Sequence, residues 1–370
     1  MTVRVLADAS PGEVRVAAAD GTQLLDYAIW RPGAPDGVDD LHRARVITRV
    51  PAMAGAFVAF ADAEGFLPDS AGGEGLSDGT VLPVRITRAA QGGKGPRVTA
   101  RLNVEERDRA GSGPPGLVQR GPGAVERLAA LYPQALVLVN DGLLATELRS
   151  VLGMRVSFDS STLLDDLEPA PESLAEPVAS VGAGGRLHIQ PTSALVAIDV
   201  DIGSGTGERR SKAAAQVAFN RAVLPVLAQQ IRLRNLSGPI LVDLAGLSVR
   251  RRAMLADDLA GALSGDPLRP RFLGFSALGL AEILRPRVHP PLHELLAGPH
   301  ATGLVALRCI AEEVAAQPAL RPILRAAPKI VAAVQADPVA LPDLARRMGR
   351  PLILRADPGM TGWRMETADG

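Results

Sequence analysis

The sequence predicts a mixed α/β chain with a small β-barrel near its start, and three observations carry that reading. Five short strand candidates, 44–50, 56–60, 65–68, 80–88 and 97–102, crowd into about sixty residues, the count and spacing of a small five-stranded barrel. From residue 186 onward strands alternate with helices, the pattern of an α/β layer structure. Glycine and proline, 38 and 30 of 370 residues, recur without a period, which excludes collagen and favours many short elements joined by loops.

Local patterns justify each element in turn. Residues 4–6, 13–17 and 23–28 alternate apolar and polar side chains between the turn signals Ser10-Pro11-Gly12 and Asp20-Gly21, the period of half-buried strands. A Pro/Gly/Asp linker at 32–40 leads into the five barrel candidates. Beyond them lie an amphipathic helix at 124–132, a buried strand at 135–140, a helix at 143–152 and a Pro/Ala/Gly-rich connection at 169–185. The layered half has strands at 187–190, 194–201 and 240–244, with helices at 212–235 and 250–263. A helix at 301–316 and a strand-helix-strand stretch at 330–354 suggest a small C-terminal domain.

Composition narrows the function classes. Lys+Arg 40 balance Asp+Glu 40, so binding to nucleic acid by total charge alone is excluded while a local basic groove is not. The single Cys309 permits neither an internal disulfide nor a paired-cysteine metal site, which fits a reducing compartment and an expected cytoplasmic location. No stretch of about 18 apolar residues and no basic-then-apolar leader occurs, so neither membrane insertion nor export is expected.

Two apolar strands end in carboxylates: Ala194-Leu-Val-Ala-Ile-Asp199-Val-Asp201 and Pro239-Ile-Leu-Val-Asp243. Asp199 and Asp201 share one strand face, and a helix-connected neighbouring strand would bring Asp243 beside them at the carboxyl ends. Three hard oxygen ligands suit Mg²⁺, which lowers the pKa of a bound water and stabilises charge on a phosphoryl oxygen. The competing reading is that strand-end aspartates cap a helix or anchor a turn. Residues 202–252 carry nine cations, Arg209, Arg210, Lys212, Arg221, Arg232, Arg234 and Arg250 to Arg252, against Glu208 and Asp243. An acidic metal site in such a basic field is what a phosphodiester substrate requires, although charged helix faces are often only solvated surface.

Phe57, Phe60 and Phe66 fall within ten residues of a chain that is 3% aromatic, which suggests a base-stacking platform or else the barrel's own core. The glycine-rich loop 91–97 adds the cations Lys94 and Arg97. Gly203-Ser-Gly-Thr-Gly207 lacks the Lys-Ser/Thr of a phosphate loop and reads as a flexible rim. His289, His293, His300 and Cys309 make a poor zinc set, because Pro290-Pro291 breaks helical pairing of the first two.

At this point the residues resemble the catalytic region of the ribonuclease E/G endoribonucleases. Ala228-x-Gln230-Ile-Arg232-Leu-Arg234-Asn-Leu-x-Gly238-x-Ile-Leu-Val-Asp243 is similar to the family's helix and the strand bearing one metal aspartate, and Ala197-Ile-Asp199-Val-Asp201 to the strand bearing the other. Further matches are Gly265-Asp266-Pro267, Gly274-Phe-Ser-x-Leu-Gly279-Leu-x-Glu282 and Arg285-x-Arg287. Upstream, Pro51-x-Met53-x-Gly-Ala56-Phe57-Val58 with Gly65-Phe66-Leu67 resembles the family's S1 RNA-binding barrel, and Lys94-Gly95-Pro-Arg97-Val-Thr99 its final hairpin.

The resemblance implies an endoribonuclease that cuts single-stranded RNA by metal-activated water attack, leaving a 5′-phosphate and a 3′-hydroxyl. Asp199 and Asp243 would hold Mg²⁺ and Asp201 would bind or orient it, all three counted as catalytic. RNA would be bound by Phe57, Phe66, Lys94 and Arg97 and gripped by Arg232, Arg234 and the cations at 209–212, with Arg120 of Gly116-Leu-Val-Gln-Arg120-Gly121 on a 5′-monophosphate. The implied order of parts is N-terminal strands of a ribonuclease H-like part (1–38), an S1/OB-type barrel (39–103), a reduced 5′-sensor and ribonuclease H-like region (104–185), a DNase I-like catalytic domain (186–296) and a small C-terminal domain (297–370). Three departures stand out: Asp201 where the family has asparagine, Gly121 where it has threonine, and Leu296 to Gly303 in place of the cysteines of the zinc link. A zinc-bridged tetramer is therefore not expected, while another homo-oligomer is left open. The alternative function is an RNA-binding protein of the same fold in which cleavage has weakened.

Overall fold

A computed structural model describes residues 2–60, 63–161, 163–182, 184–203 and 212–367. Contacts divide the chain into two units, Met1–Ile86 with Val98–Leu167 and Glu294–Gly370, and Thr87–Arg97 with Glu168–His293.

The first unit opens on three antiparallel strands, β1 (Val3–Ser10), β2 (Glu13–Asp20) and β3 (Gln23–Trp30). Gly21, at φ 62°, takes the left-handed conformation that the two-residue turn between β2 and β3 needs. A closed barrel of five strands follows: β4 (Leu41–Val50), β5 (Gly55–Phe60), β6 (Ala63–Pro68), β7 (Val81–Arg88) and β8 (Arg97–Thr99). β4 pairs with both β5 and β7, which closes the sheet over Val46, Val58, Phe60, Leu67, Val84 and Val98.

Helix α1 (Val104–Ala110) starts at a capping box in which Asn103 and Glu106 satisfy each other's backbone N–H. Strand β9 (Gly116–Gln119) then adds to β4. Helix α2 (Ala124–Leu131), strand β10 (Leu136–Val139), helix α3 (Gly142–Leu152) and strand β11 (Val156–Phe158) return the chain to the first sheet, whose order is β11-β10-β1-β2-β3. The alternation in β2 implied a half-buried strand, yet both of its faces are buried: Val14, Val16 and Ala18 pack under α2 and α3, while Ala17 and Ala19 are fully buried on the other side.

Glu13 is also buried there, between Arg31 at 2.8 Å, Arg15 at 3.4 Å and Arg308. Burial would raise its pKa, but Arg308 and Arg31 more than offset this and hold it below the ordinary 4.5. A depressed carboxylate contributes stability that is complete above pH 4.5 and is lost as pH falls through the folded value. The melting temperature of the wild type should therefore drop more steeply below pH 4.5 than that of Glu13→Gln. Parallel pH profiles for the two proteins would refute this.

The second unit is built on a six-stranded sheet of order β12-β13-β14-β15-β17-β16. Its first strands are β12 (Val178–Ser180), β13 (Arg186–Pro191) and β14 (Val196–Asp201). The segment 169–185, expected as a plain connection, thus supplies an edge strand paired to β13. Helix α4 (Lys212–Leu233) crosses over to β15 (Gly238–Asp243), the parallel neighbour of β14. Asn220, Val223, Leu224, Leu227 and Ile231 bury one stripe of α4 at helical spacing, with Pro225 on the exposed side.

The helix expected at 250–263 is broken into α5 (Val249–Ala253) and α6 (Ala256–Leu263), because tight turns at Met254 and Leu255 sink Leu255 into the core. Strands β16 (Arg271–Phe275) and β17 (Ala281–Arg285) complete the sheet, with a bulge between Phe272 and Gly274.

A single turn α7 (Leu292–Leu295) precedes α8 (Gly298–Ala316), β18 (Pro322–Ala326), α9 (Pro328–Ala336), α10 (Ala340–Met348), β19 (Ile353–Ala356) and β20 (Trp363–Thr367). The expected strand at 330 instead falls in α9, starting in its first turn. Pro328 starts that helix, and Ile330, Val331 and Val334 bury its inner face, a short apolar run that periodicity alone assigns poorly.

Candidate active site

Along β14, Val196, Ile198 and Val200 face the helices while Asp199 and Asp201 point to the open face; along β15, Ile240 and Val242 are buried and Asp243 is exposed. Asp199 and Asp243 are register partners on adjacent parallel strands, so their backbones lie about 4.8 Å apart with both carboxylates on one face. Asn220, fully buried on α4, fixes the chain just beyond Asp243. Its amide donates to Ala245 O at 3.0 Å and its Oδ1 accepts from Ala245 N at 3.0 Å.

Asp201 does not complete a three-ligand cluster. Pairing of β14 with β15 ends at Asp199, and Asp201 lies about 6.6 Å further along the strand. Among the described residues no group of three or more His, Cys, Asp or Glu is placed to hold a metal.

The register also brings up residues that sequence reasoning missed. His188 and Arg186 on β13 face Asp199 and Asp201, and Glu282 on β17 faces Leu241. Antiparallel register has no local signal in the sequence. Arg252 was noticed only as part of a charge run, yet its Nη2 lies 3.8 Å from Asp243 Oδ1.

Of the nine cations counted around the aspartates, Arg221, Arg232 and Arg234 are engaged elsewhere. Arg209 and Arg210, the Lys212 side chain and the loop 204–207 lie outside the described residues. Arg221 pairs with Asp258 at 2.8 Å, and Arg232 donates to Gly265 O at 2.8 Å. Arg234 is buried, donating to Gln230 Oε1 at 2.8 Å and to the carbonyls of Glu176 and Ser173, and burial lowers its pKa. Its expected grip on RNA is corrected to a structural one. The physical reason is topological: α4 runs back along the sheet for about 33 Å, so its last turn sits at the far end of the strands from Asp243.

A second basic feature was not anticipated as a unit. A cavity of about 630 Å³ is lined by Arg88, Arg97, Arg269, Arg271, Arg285 and Arg287, beside Gly238 and Pro239. Burial, and then repulsion from Arg97 and Arg287, lowers the pKa of Arg88. The Arg287 guanidinium lies over Gly238, where a Cβ would come within 2.3 Å of Nη2. Pro239 shares the sheet face of Asp243 and lies about 13 Å from it. Lys94 is exposed on the same hairpin as Arg97, where Gln91 and Lys94 form a bridge.

In the barrel, Phe60 is core and packs on His42 at 4.7 Å. Phe57 and Phe66 are instead a partly exposed register pair, edge to face, with centroids 5.6 Å apart. Arg120 is tied to buried Asp40, whose other oxygen accepts from Gly121 N at 2.7 Å. A Cβ at Gly121 would sit 2.4 Å from Val38 O, so a threonine there cannot fit this backbone. His300 pairs with buried Asp337 at 2.8 Å, which gives that histidine a structural role. No helix among the described residues is long and apolar enough to cross a membrane.

Residues 159–288, which contain all the strands of the second unit's sheet and both register-paired aspartates, match the model of the Ribonuclease E/G family. Over that segment, about a third of its length, the chain is similar to the ribonuclease E/G family. Similar curated proteins include Ribonuclease E of Nostoc sp., 33% identical over 142 residues, covering 37% of this chain and 20% of that protein. Ribonuclease G of Escherichia coli is 30% identical over 156 residues, covering 41% and 30%. The chloroplastic Ribonuclease E/G-like protein of Arabidopsis thaliana is 32% identical over 148 residues, covering 38% and 15%. The matched part thus spans between about a seventh and a third of these family members.

Proposed function

We propose that the chain is a Mg²⁺-dependent endoribonuclease acting on single-stranded RNA, a reading carried by the in-register pair Asp199 and Asp243 inside the family-matched segment. Two carboxylates at the ends of adjacent strands fit a hard cation that keeps most of its ligands as water. When bound, the ion would supply a lowered water pKa and charge neutralisation at the phosphoryl oxygen. Asp199 and Asp243 would hold it, and Asp201 would accept a hydrogen bond from the attacking water. The products would be a 5′-phosphate and a 3′-hydroxyl.

RNA would run across the open face. The arginine cavity, about four stacked nucleotides from Asp243, offers charge to the phosphates. Phe57 and Phe66 offer ring faces to bases, with Lys94 as a further cation. Arg120 would contact a 5′-monophosphate only by leaving Asp40. A five-stranded closed barrel with this aromatic pair supports an S1-type role for residues 39–103, and the order of a ribonuclease H-like part and a DNase I-like domain on either side is proposed with it.

Phe57→Ala should weaken binding of a single-stranded 12-mer by about 1–3 kcal/mol, read by fluorescence anisotropy. Unchanged affinity would remove the aromatic pair from the RNA path. The whole reading is tested by incubating 5′-monophosphate and 5′-hydroxyl RNA with the full chain, with and without Mg²⁺. Salt-sensitive binding without cleavage would favour an RNA-binding protein instead.

A further inference from the structure

We propose that Arg252 contacts the scissile phosphate beside Asp243 and stabilises the charge that builds on its non-bridging oxygen, an inference that rests on the nuclease reading above. Arg250 and Arg251 are exposed on α5, whereas the Arg252 side chain is only 16% exposed and turns toward the aspartate pair. It stops 3.8 Å short of Asp243 Oδ1, too far for a hydrogen bond, so the carboxylate keeps its lone pairs for another ligand. The Arg252 Nε is buried and has no hydrogen-bond partner among the described residues.

The guanidinium is held from behind by the turn between β16 and β17. Gly279 N donates to Ser276 O at 2.8 Å, and a Cβ at Gly279 would lie 1.7 Å from Arg252 Nη1. Gly279 is therefore the residue that lets the guanidinium reach this position. A rigidly backed cation at ion-pair distance from a carboxylate to which it donates no hydrogen bond is preorganised for an anion that arrives between them. A phosphodiester at Asp199 and Asp243 is that anion.

In the reaction water adds across the P–O3′ bond. Its oxygen bonds to phosphorus, one proton passes to solvent, and the 3′ oxygen leaves and takes up a proton. The equatorial oxygens carry most charge midway, and the fork of Arg252 matches them.

The test compares wild type, Arg252→Gln and Arg252→Lys as full chains, each with thermal unfolding checked. Three quantities are read: single-turnover cleavage in Mg²⁺, RNA affinity by anisotropy, and Mn²⁺ affinity by electron paramagnetic resonance. The glutamine variant should cleave about 10²- to 10³-fold more slowly. Its RNA affinity should fall far less than its rate, and Mn²⁺ should bind several-fold tighter once the neighbouring charge is gone. Lysine should restore the Mn²⁺ affinity but only part of the rate, since a point charge lacks the fork.

Equal rates in glutamine variant and wild type overturn the proposal while Asp243-dependent cleavage, if present, keeps the nuclease reading. RNA affinity falling as far as the rate also overturns it, by making Arg252 a ground-state contact. Unchanged Mn²⁺ affinity overturns it as well, by placing the guanidinium away from the carboxylates. A wild-type chain that cleaves nothing overturns the phosphate role of Arg252 together with the nuclease reading.

Discussion

Asp243→Asn is expected to lower Mg²⁺-dependent cleavage by at least about 10³-fold, since the ion's role in such chemistry is worth several kcal/mol. Among the described residues two carboxylates stand in register at the strand ends, so the substitution removes half of that pair's charge while keeping side-chain shape. The neighbouring Arg252, no longer 3.8 Å from a carboxylate, would then repel a cation unopposed from that side. Under the proposal that Asp199 and Asp243 hold one ion, Asp199→Asn should cost as much, and the double variant little more than either alone. Binding of a single-stranded oligonucleotide should persist or tighten slightly, because a negative charge has left the proposed phosphate path. Cleavage by Asp243→Asn at the wild-type rate would remove this pair from the chemistry.

The largest stability effect is expected at the opposite end of the same sheet. Arg285 and Asp266 are 4% and 5% exposed and paired at 2.6 Å, with a second contact at 3.3 Å. The remaining Arg285 nitrogen donates to Asn235 Oδ1 at 2.6 Å and Leu236 O at 3.1 Å. One guanidinium thus ties the turn after α4, the loop after α6 and strand β17 together. Arg285→Met leaves a buried carboxylate without its partner and should cost about 3–5 kcal/mol in urea unfolding. Arg285→Met with Asp266→Leu should recover much of that loss, because no charge is then left buried. A loss under about 1 kcal/mol for the single variant would show that water reaches Asp266 and the pair is not a true interior contact.

Much of the architecture was legible from periodicity. All five barrel strands lie within a few residues of their expected places, and β14, β15 and α4 carry the residues assigned to them. The failures are local conflicts that packing resolved. β16, bulged at Phe272 and Gly274, shows no clean alternation, and the break between α5 and α6 depends on where Leu255 is buried. The apolar run at 330 fitted helix or strand equally, and the helices covering β18 made it a helix.

The candidate site was read less completely. Asp199 and Asp243 were visible because an apolar run ending in a carboxylate is a strong local signal. Charge counting misled, since proximity in sequence is not proximity in space along a 22-residue helix: Arg234 became a core residue. Arg252, Gly279 and the arginine cavity join residues from separated segments, so no window of sequence could contain them.

By itself, the sequence determined the strand and helix periods, the carboxylate-ended strands and the placement of aromatic residues in the barrel. These follow from side-chain alternation along a single backbone segment. Only the tertiary structure decided that Asp199 and Asp243 pair in register while Asp201 overhangs, that Phe57 and Phe66 face outward while Phe60 is core, and that Arg252 rather than Arg234 lies beside Asp243. The reason is that register, crossover direction and ion-pair choice are set by contacts between distant segments, whose energies depend on which faces become buried together.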